Sequence, residues 1–322
     1  MDSVFLEYDL VIIGGGPAGM ACAISASENK VKKILLIERE EDLGGELNQS
    51  IHCSFGKDIF GYNVTGSEYT QYFITKIDKS NIELKLNTMV LNVKEDNKIY
   101  YVNPDEGMQC IRGKAIVLAT GSREKFNCNI DIPVNKVAGI YTIGAAQRFI
   151  NAQGYLPGKK IVILGSGDKE FLIARRLIVE GAKVISIIEP SNSLKCKSDK
   201  SKKIIEAFNI PIRLNYNILD VTGDERVTGV IITDEEGNNE NIECDALLIS
   251  LNWNSESELV RGIDVNINSN NDSIIVNNRF ETSKKGIFAC GNAIHCDELS
   301  DICTQEGSYV GKIVNEYLYR KQ

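Results

Sequence analysis

A glycine-rich turn gives the sequence its clearest chemical signal. The motif Gly14-Gly-Gly16-Pro-Ala-Gly19 follows an apolar run and precedes a stretch with helical periodicity. Gly14 would make the tight turn, Gly16 would let the backbone approach a pyrophosphate, and Gly19 would let the helix pack on the strand. The start of that helix offers free amide groups and a partial positive charge. Glu38, about 20 residues on, is the expected acceptor for ribose hydroxyls.

The same arrangement recurs 151 residues later, where one apolar run leads into a glycine turn ending at Gly167 and a second apolar run ends at Glu189. In each copy an apolar strand pattern ends in Gly-x-Gly, a helix pattern follows, and a second strand ends in an acidic residue. The two helices are expected over residues 17–29 and 169–180. Each copy therefore predicts a β-α-β unit, and buried strands that alternate with helices predict parallel sheets.

Later strand patterns complete each half and set the predicted domain organisation. They cover residues 115–121, 246–251, 273–276 and 286–290, and a helical pattern runs from about 301 to 319. The predicted fold class is α/β, with two Rossmann-like three-layer domains and the second inserted into the first. The expected boundaries are 1–128 and 263–322 for the discontinuous first domain and 129–262 for the inserted domain.

At these motifs the chain resembles the two-domain FAD/NAD(P) oxidoreductases of the pyridine nucleotide-disulfide oxidoreductase superfamily, in the short form typified by thioredoxin reductase. The resemblance covers nearly the whole chain, and it implies that the first repeat binds FAD. Four further stretches look like bacterial FAD-dependent oxidoreductases that are encoded beside anaerobic glycerol-3-phosphate dehydrogenases. These stretches are Leu43–Gly56, Thr65–Tyr69, Gly139–Gln147 and Gly154–Gly158.

The resemblance also implies which residues contact FAD. The expected contacts are Gly14, Gly16, Pro17, Ala18, Gly19, Glu38, Arg39, Gly45, Glu46, Leu47, Asn48, Val90, Ala119, Thr120, Gly121, Gly291, Asn292, Asp301 and Ile302. Asn292 stands where the superfamily has Asp. Because an amide both donates and accepts hydrogen bonds, the ribityl contact expected there is altered.

The chain lacks a cysteine pair suited to the superfamily's disulfide chemistry. None of its nine cysteines forms C-x-x-C, and only Cys53 follows soon after the first β-α-β unit. We therefore expect an electron acceptor other than a disulfide. His52, His295 and Cys53 are the catalytic candidates, because both histidines of the chain fall in flavin-contacting motifs and imidazole titrates near neutral pH. The alternatives are loop histidines bonded to the backbone and a cysteine that packs as a small hydrophobic residue.

The second glycine motif is imperfect, since Glu170 stands where a third Gly or Ala belongs. A carboxylate there would repel a dinucleotide phosphate about 4 Å away by roughly 1–4 kcal/mol. Two interpretations stay open. Either the inserted domain binds NAD(H) through Gly165, Gly167, Asp168 and Glu189, or it keeps the fold and has lost the nucleotide. Glu189 suits a ribose 2′-OH and would repel a 2′-phosphate, so NADH is preferred over NADPH.

Composition argues against several other classes of protein. With 44 acidic and 36 basic residues the net charge is −8, so neither nucleic acid nor an anionic membrane is an expected partner. The cysteine spacings fit no metal site, and no apolar run approaches the roughly 18 residues of a membrane-spanning helix. The first residues lack a signal-peptide pattern, so we expect a cytoplasmic protein with free thiols.

Two functions from different classes follow. In the first, an FAD-dependent NAD(P)H oxidoreductase passes hydride from NADH through the flavin to an unknown non-disulfide acceptor, and the chain forms a homodimer. In the second, the chain is an FAD-bearing electron-transfer subunit of a glycerol-3-phosphate or amine dehydrogenase complex, and its own NAD site is degenerate. A partner dehydrogenase flavoprotein is expected in the second case.

Overall fold

The computed structural model describes residues 6–125 and 137–319. Its strands in chain order are β1 (Leu6–Ile13), β2 (Ile34–Ile37), β3 (Ile82–Lys85), β4 (Met89–Val93), β5 (Lys98–Asn103), β6 (Gly107–Leu118), β7 (Ser122–Glu124), β8 (Ile140–Thr142), β9 (Lys160–Leu164), β10 (Lys183–Glu189), β11 (Ile212–Leu214), β12 (Tyr216–Thr222), β13 (Gly229–Asp234), β14 (Asn239–Glu243), β15 (Ala246–Ile249), β16 (Trp253–Ser255) and β17 (Ile287–Ala289).

Helices lie between some of these strands. The α-helices are α1 (Pro17–Glu28), α2 (Lys57–Phe60), α3 (Gly66–Ile77), α4 (Ile143–Asn151), α5 (Asp168–Val179), α6 (Asp199–Phe208), α7 (Asn292–His295) and α8 (Ser300–Tyr319). Two 3₁₀ helices cover Gly45–Gln49 and Glu258–Ile263. None of the helices in the described ranges combines the length and apolar character that crossing a bilayer requires.

The chain divides into two compact units. The first consists of Met1–Arg123 and Trp253–Gln322, and the second of Glu124–Asn252. Of the two boundaries expected from the sequence, the one at 128/129 lies outside the described residues. The other was expected at 262/263, but residues 253–262 belong to the first unit, because their 3₁₀ helix buries Val260 and Ile263 in the same core as β4.

The first unit is built on one large sheet. Its strand order is β3-β2-β1-β6-β5-β4, and β17 pairs with β6 on a separate branch. The pairs from β3 to β6 and from β6 to β17 are parallel, whereas β4, β5 and β6 form an antiparallel meander. All four residues of β2 are buried, as expected for a strand with helices or other elements over both sheet faces.

Helices α1 and α8 of the first unit touch backbone to backbone. A Cβ added to Gly307 would lie 2.0 Å from the carbonyl oxygen of Ala18, and one added to Gly311 would lie 2.6 Å from that of Cys22. Only glycine allows so close an approach at these two positions. The first turn of α1 is therefore fixed by a helix from the far end of the chain.

The second unit repeats the β-α-β arrangement on its own sheet. The parallel order is β11-β10-β9-β15-β8, and β12, β13 and β14 form a separate antiparallel sheet. The segment β9-α5-β10 corresponds to β1-α1-β2 of the first unit. The α/β class with two Rossmann-like domains is thus confirmed.

One expected strand does not form. Residues 273–276, all within the described range, were expected to be a strand, but the strand pairing there is limited to an isolated bridge between Ile267 and Ile274. The Asn-rich stretches on either side turn the backbone too often for a ladder to continue. Asp272, just before the expected strand, has a φ of 55°, in the left-handed region.

Candidate functional site

The first glycine motif forms a sharp turn between β1 and α1. Gly14 has a φ of 108°, and a Cβ on it would lie 2.3 Å from the carbonyl oxygen of Ala119. A Cβ on Gly19 would lie 1.8 Å from the carbonyl oxygen of Gly14. These two glycines are needed for close packing of turn, helix and strand, as the motif predicts.

Gly16 differs from Gly14 and Gly19 because it faces open space. A Cβ added to it would meet no atom within 4 Å. Gly16 is the N-cap residue of α1, with no side-chain cap, and the first turn of the helix contains Pro17 and no acidic residue. A Cβ on Gly45 would lie 3.3 Å from Cα of Gly16, so the turn from Gly44 to Gly45 borders this space. An uncapped helix N-terminus beside an open space fits a pyrophosphate.

Glu38 directly follows β2, contacts the glycine turn at Gly15 and is buried. One carboxylate oxygen accepts a 2.6 Å hydrogen bond from the amide of Gly15, and the other accepts a 2.9 Å bond from the amide of Glu40. Two backbone donors thus orient a carboxylate that still has lone pairs for ribose hydroxyls. Arg39 is more exposed and lies 3.8 Å from the carboxylate of Glu256.

The turn after Gly44 continues as the 3₁₀ helix Gly45–Gln49. Within it Leu47 is buried, Glu46 is exposed, and the side-chain amide of Asn48 donates a 2.7 Å bond to the carbonyl of Leu43. This bond closes the turn on itself, between the residue before Gly44 and the 3₁₀ helix. Glu46, Leu47 and Asn48, which the resemblance implies contact FAD, directly follow Gly45, whose Cβ position borders Gly16.

The remaining residues of the first unit that were expected to contact FAD lie on or after three further strands, β4, β6 and β17. The hydroxyl of Thr120, after β6, donates a 2.6 Å bond to the carbonyl of Glu256, and the carbonyl of Gly121 accepts the amide of the same residue. Val90 is buried on β4 in the core beneath the sheet. A Cβ on Gly291 would lie 2.8 Å from Cβ of Ala18, so the turn after β17 meets the first turn of α1.

Asn292 is already engaged within the protein. Its side-chain oxygen accepts a 2.7 Å bond from the amide of Glu298, and its amide nitrogen donates a 3.3 Å bond to the carbonyl of that residue. The side chain thereby closes the loop that precedes α8. This arrangement gives Asn292 a structural role in addition to the cofactor contact expected of it.

His295 is paired with a carboxylate that the sequence analysis did not identify. Its Nε2 lies 2.6 Å from one oxygen of Glu306, and the other oxygen accepts a 2.9 Å bond from the amide of Gly291. Glu306 thus links the histidine to the turn beside α1. No local sequence signal marks Glu306, because its partners stand 11 and 15 positions earlier on other elements.

The other catalytic candidates lie on a loop that α8 holds in place. His52 contacts Phe55 with ring centroids 5.0 Å apart and ring planes tilted by 45°, and Cys53 is exposed. Asp301 accepts hydrogen bonds from the amides of Gly56 and Asp58, at 2.9 and 3.0 Å. The carboxylate of Asp301 therefore ties the start of α8 to this loop. Ile302, the next residue, is half-buried.

The second glycine motif has the same turn but a filled space. Gly165 has a φ of 110°. A Cβ on Gly167 would lie 2.5 Å from Oε2 of Glu170, and the three atoms nearest to that position all belong to Glu170. Glu170 is buried. The position that is open in the first unit is thus occupied by a carboxylate of the chain itself in the second.

The other two carboxylates of the second motif also have internal partners. Asp168 accepts bonds from the Ser201 hydroxyl at 2.6 Å and from the amides of Ser198 and Lys197 at 3.0 and 3.2 Å. Burial alone would raise the pKa of Asp168, but these donors hold that pKa below its ordinary value. The carboxylate is therefore well stabilised without a ligand.

Glu189 is held in the same way at the end of β10. It accepts bonds from the Ser166 hydroxyl at 2.6 Å and from the Ser191 hydroxyl and amide at 2.6 and 2.9 Å. Burial alone would raise its pKa, and these bonds bring it below the ordinary value for a glutamate. The first motif therefore fits FAD, whereas the second resembles a dinucleotide site whose hydrogen-bond acceptors are already used by the chain itself.

The described residues include no cluster of three or more side chains suited to a metal.

Comparison with known proteins places these two motifs in a known context. The family model described as pyridine nucleotide-disulphide oxidoreductase matches residues 8–307. A ferredoxin–NADP reductase of Sulfurisphaera tokodaii is 26% identical over 311 residues, which cover 94% of this chain and 86% of that protein. A ferredoxin–NADP reductase of Geobacillus kaustophilus is 25% identical over 306 residues, covering 93% and 86%.

The solved structures include a close likeness in fold. The crystal structure of Lactococcus lactis thioredoxin reductase superposes with a TM-score of 0.78 at 19% identity, covering 98% of this chain and 100% of that one. At this identity the likeness concerns the fold alone. It agrees with the two Rossmann-like units described above.

Proposed function

The chain belongs to the pyridine nucleotide-disulphide oxidoreductase family, and on that premise we propose that it oxidises NADH and passes the electrons to an acceptor that is not a disulfide. Family membership makes the chain an FAD-dependent oxidoreductase, with FAD and a nicotinamide dinucleotide as its cofactors. When bound, FAD supplies the redox chemistry: it takes a hydride, which carries two electrons, and hands those electrons on.

The open space at Gly16 is the observation that carries this proposal. The uncapped start of α1 and the absence of acidic residues from its first turn favour the pyrophosphate of FAD at that point. Glu38, oriented by two backbone amides, would bind the ribose hydroxyls. The turn after Gly44 would close over the phosphates, and the backbone at Asp301 and Ile302, at the start of α8, would lie near the flavin.

His295 and Glu306 would transfer a proton to or from the flavin at this site. Two-electron reduction of a flavin takes up protons as well as electrons, and an imidazole hydrogen-bonded to a carboxylate can act as a general acid or base. Glu306 would orient the ring, because its second oxygen is fixed by the Gly291 amide. Cys53 and His52 remain candidates on the loop that Asp301 fastens.

The acceptor proposed here is a one-electron iron–sulfur carrier of the ferredoxin type. The sequence has no C-x-x-C pair with which to reduce a disulfide. The relatives at 25–26% identity are ferredoxin–NADP reductases. One NADH would supply two electrons, and two carrier molecules would each take one of them.

An anaerobic titration tests the electron donor. The FAD-loaded protein is mixed with NADH or with NADPH, and the visible absorption band of the flavin is followed. We expect NADH to bleach the band at lower concentration than NADPH, because Glu189 would repel a 2′-phosphate. A band that persists at millimolar NADH would contradict the proposal.

A second function is favoured by Glu170, whose carboxylate fills the space over Gly167. In this case the chain is an FAD-bearing electron-transfer subunit, and a glycerol-3-phosphate or amine dehydrogenase supplies the electrons. Purification under native conditions separates the two proposals. A stable complex with a second flavoprotein, together with no response to NADH, would support the subunit, whereas a homodimer reduced by NADH would support the oxidoreductase.

A further inference from the structure

We infer that Glu170 plugs the second glycine motif, so that NADH binds there only when this side chain leaves, an inference that rests on the proposed function. Oε2 of Glu170 lies 2.5 Å from the position of a Cβ on Gly167, whereas a Cβ on Gly16 would meet nothing within 4 Å. Only 4% of the Glu170 surface is exposed. The side chain is therefore inside the motif rather than beside it.

The plug acts by charge as well as by volume. The first turn of α5 contains two acidic residues, Asp168 and Glu170, whereas the first turn of α1 contains none. The partial positive charge at the start of α5 is thus already balanced by carboxylates of the chain. A pyrophosphate about 4 Å from the Glu170 carboxylate would bind roughly tenfold or more weakly than it would without that charge.

The repeat shows how the plug is accommodated. Glu170 stands 151 positions after Gly19, the residue that packs α1 against the turn at Gly14. A Cβ on Gly19 would lie 1.8 Å from the Gly14 carbonyl oxygen, so that helix start has no room for a side chain. In the second copy Cγ of Glu170 lies 3.7 Å from a Cβ position on Gly165. The start of α5 therefore leaves the space that the glutamate uses.

The bonds around the plug hold the motif in place without it. Asp168 binds the amides of Lys197 and Ser198, and the Ser166 hydroxyl accepts the amide of Lys195. Residues 195–198 are thus fastened to the turn independently of Glu170. Removing the carboxylate should open the space over the turn and leave its backbone unchanged.

Two substitutions at Glu170 and one control test the inference. Glu170→Gln removes the charge and keeps the shape, and Glu170→Ala removes both. Glu180→Gln is the control, because Glu180 is an exposed glutamate at the other end of α5. NADH and NADPH are titrated into each FAD-loaded protein by calorimetry, and circular dichroism and FAD content confirm folding. We expect NADH to bind at least tenfold more tightly to both Glu170 variants than to the wild type, with no change for Glu180→Gln.

The outcomes separate the plug from the proposed reaction. Equal NADH affinity in the wild type and both Glu170 variants would overturn the plug, and so would a lack of binding in all of them. If the variants bind NADH more tightly but their flavin stays oxidised, the result supports the role of Glu170 as a plug and contradicts the proposed oxidation of NADH. If the wild type already binds NADH as tightly as the variants and its flavin is reduced, the result supports the proposed oxidation of NADH and contradicts the role of Glu170 as a plug.

Discussion

Glu38 and Glu189 occupy equivalent positions in the two repeats but have different neighbours. Glu38 accepts bonds from the backbone amides of Gly15 and Glu40. At the two corresponding positions the second repeat has serines, whose hydroxyls donate two additional bonds to Glu189. A carboxylate with three short internal bonds has less capacity for a ribose. A glutamate at the equivalent position can therefore serve a nucleotide site in one unit and form structural hydrogen bonds in the other.

Two alanine substitutions in the first motif should separate folding from cofactor binding. Gly16→Ala adds a Cβ to open space at a φ of −73°, so the unfolding free energy of the FAD-free protein should change by less than about 0.5 kcal/mol. FAD binding should nevertheless weaken by about tenfold or more, because the methyl group stands where a phosphate would approach. Gly19→Ala forces a contact with the Gly14 carbonyl and should cost about 2 kcal/mol or more.

Urea unfolding of the FAD-free proteins and fluorescence titration with FAD measure these two effects. Wild-type FAD affinity in Gly16→Ala would contradict the assignment of the open space to the phosphates. Unchanged stability in Gly19→Ala would mean that α1 moves away from the turn more easily than the close packing allows.

Asp168→Asn should loosen the segment that begins α6. Hydrogen bonds to a charged group contribute about 1.5–3 kcal/mol, so the amides of Lys197 and Ser198 should exchange with solvent at least roughly tenfold faster in the variant at pH 7. The pKa of Asp168 is lowered in the folded state, so its contribution is present above its unfolded pKa near 4 and is lost as the pH falls through the folded value.

The ratio of exchange rates between Asp168→Asn and the wild type therefore has a defined pH dependence. It should shrink towards one as the pH falls below about 4. Asp199→Asn, on the exposed first turn of the same helix, is the control and should leave these amides unaffected. A ratio that does not depend on pH would contradict the charged role of Asp168.

At the scale of elements, α8 organises the loop that carries two catalytic candidates. Asp301 in its first turn binds the amides of Gly56 and Asp58, and the Thr304 hydroxyl lies 2.7 Å from that of Tyr69 on α3. Burial raises the pKa of Tyr69, so its hydroxyl stays protonated. Helix α8 is therefore hydrogen-bonded both to α3 and to the loop that leads into α2.

Asp301→Ala should release that loop while the helix itself stays folded. The amides of Gly56 and Asp58 lose a buried acceptor, so their hydrogen exchange should quicken at least tenfold. Asp301→Asn keeps one acceptor oxygen and should show a smaller change. Exchange across the middle of α8 should be the same in all three proteins, and a general increase there would indicate that the helix has unfolded.

The elements that the sequence predicts well depend on local residues. The glycine turns, α1, α5 and the buried strands β2 and β15 follow from nearby spacing and apolar runs, which is why the repeat can be recognised in the sequence alone. The Glu306 contacts with His295 and Gly291 depend on elements that are distant in sequence. The plug at Gly167 depends on the direction of one side chain. Such contacts arise from tertiary packing, which local patterns do not contain.

At the scale of the molecule, each unit has its own hydrophobic core and its own glycine motif. If FAD binds only the first, its removal should destabilise that unit alone. At a free FAD concentration 100 times the dissociation constant, the bound form gains about 2.7 kcal/mol. Hydrogen exchange of α1 and β2 should slow on adding FAD, and that of α5 and β10 should not. Equal protection of both pairs would contradict a single FAD site.

The contact of Gly307 and Gly311 with α1 has a consequence for the order in which the protein is made. The turn at Gly16 is translated early, yet its helix is not held in place until α8 has left the ribosome. Residues 124–252 are complete well before that point, and domains generally fold as they are synthesised. The inserted unit should therefore fold first, and a nascent chain stalled before residue 300 should contain it but should not retain FAD.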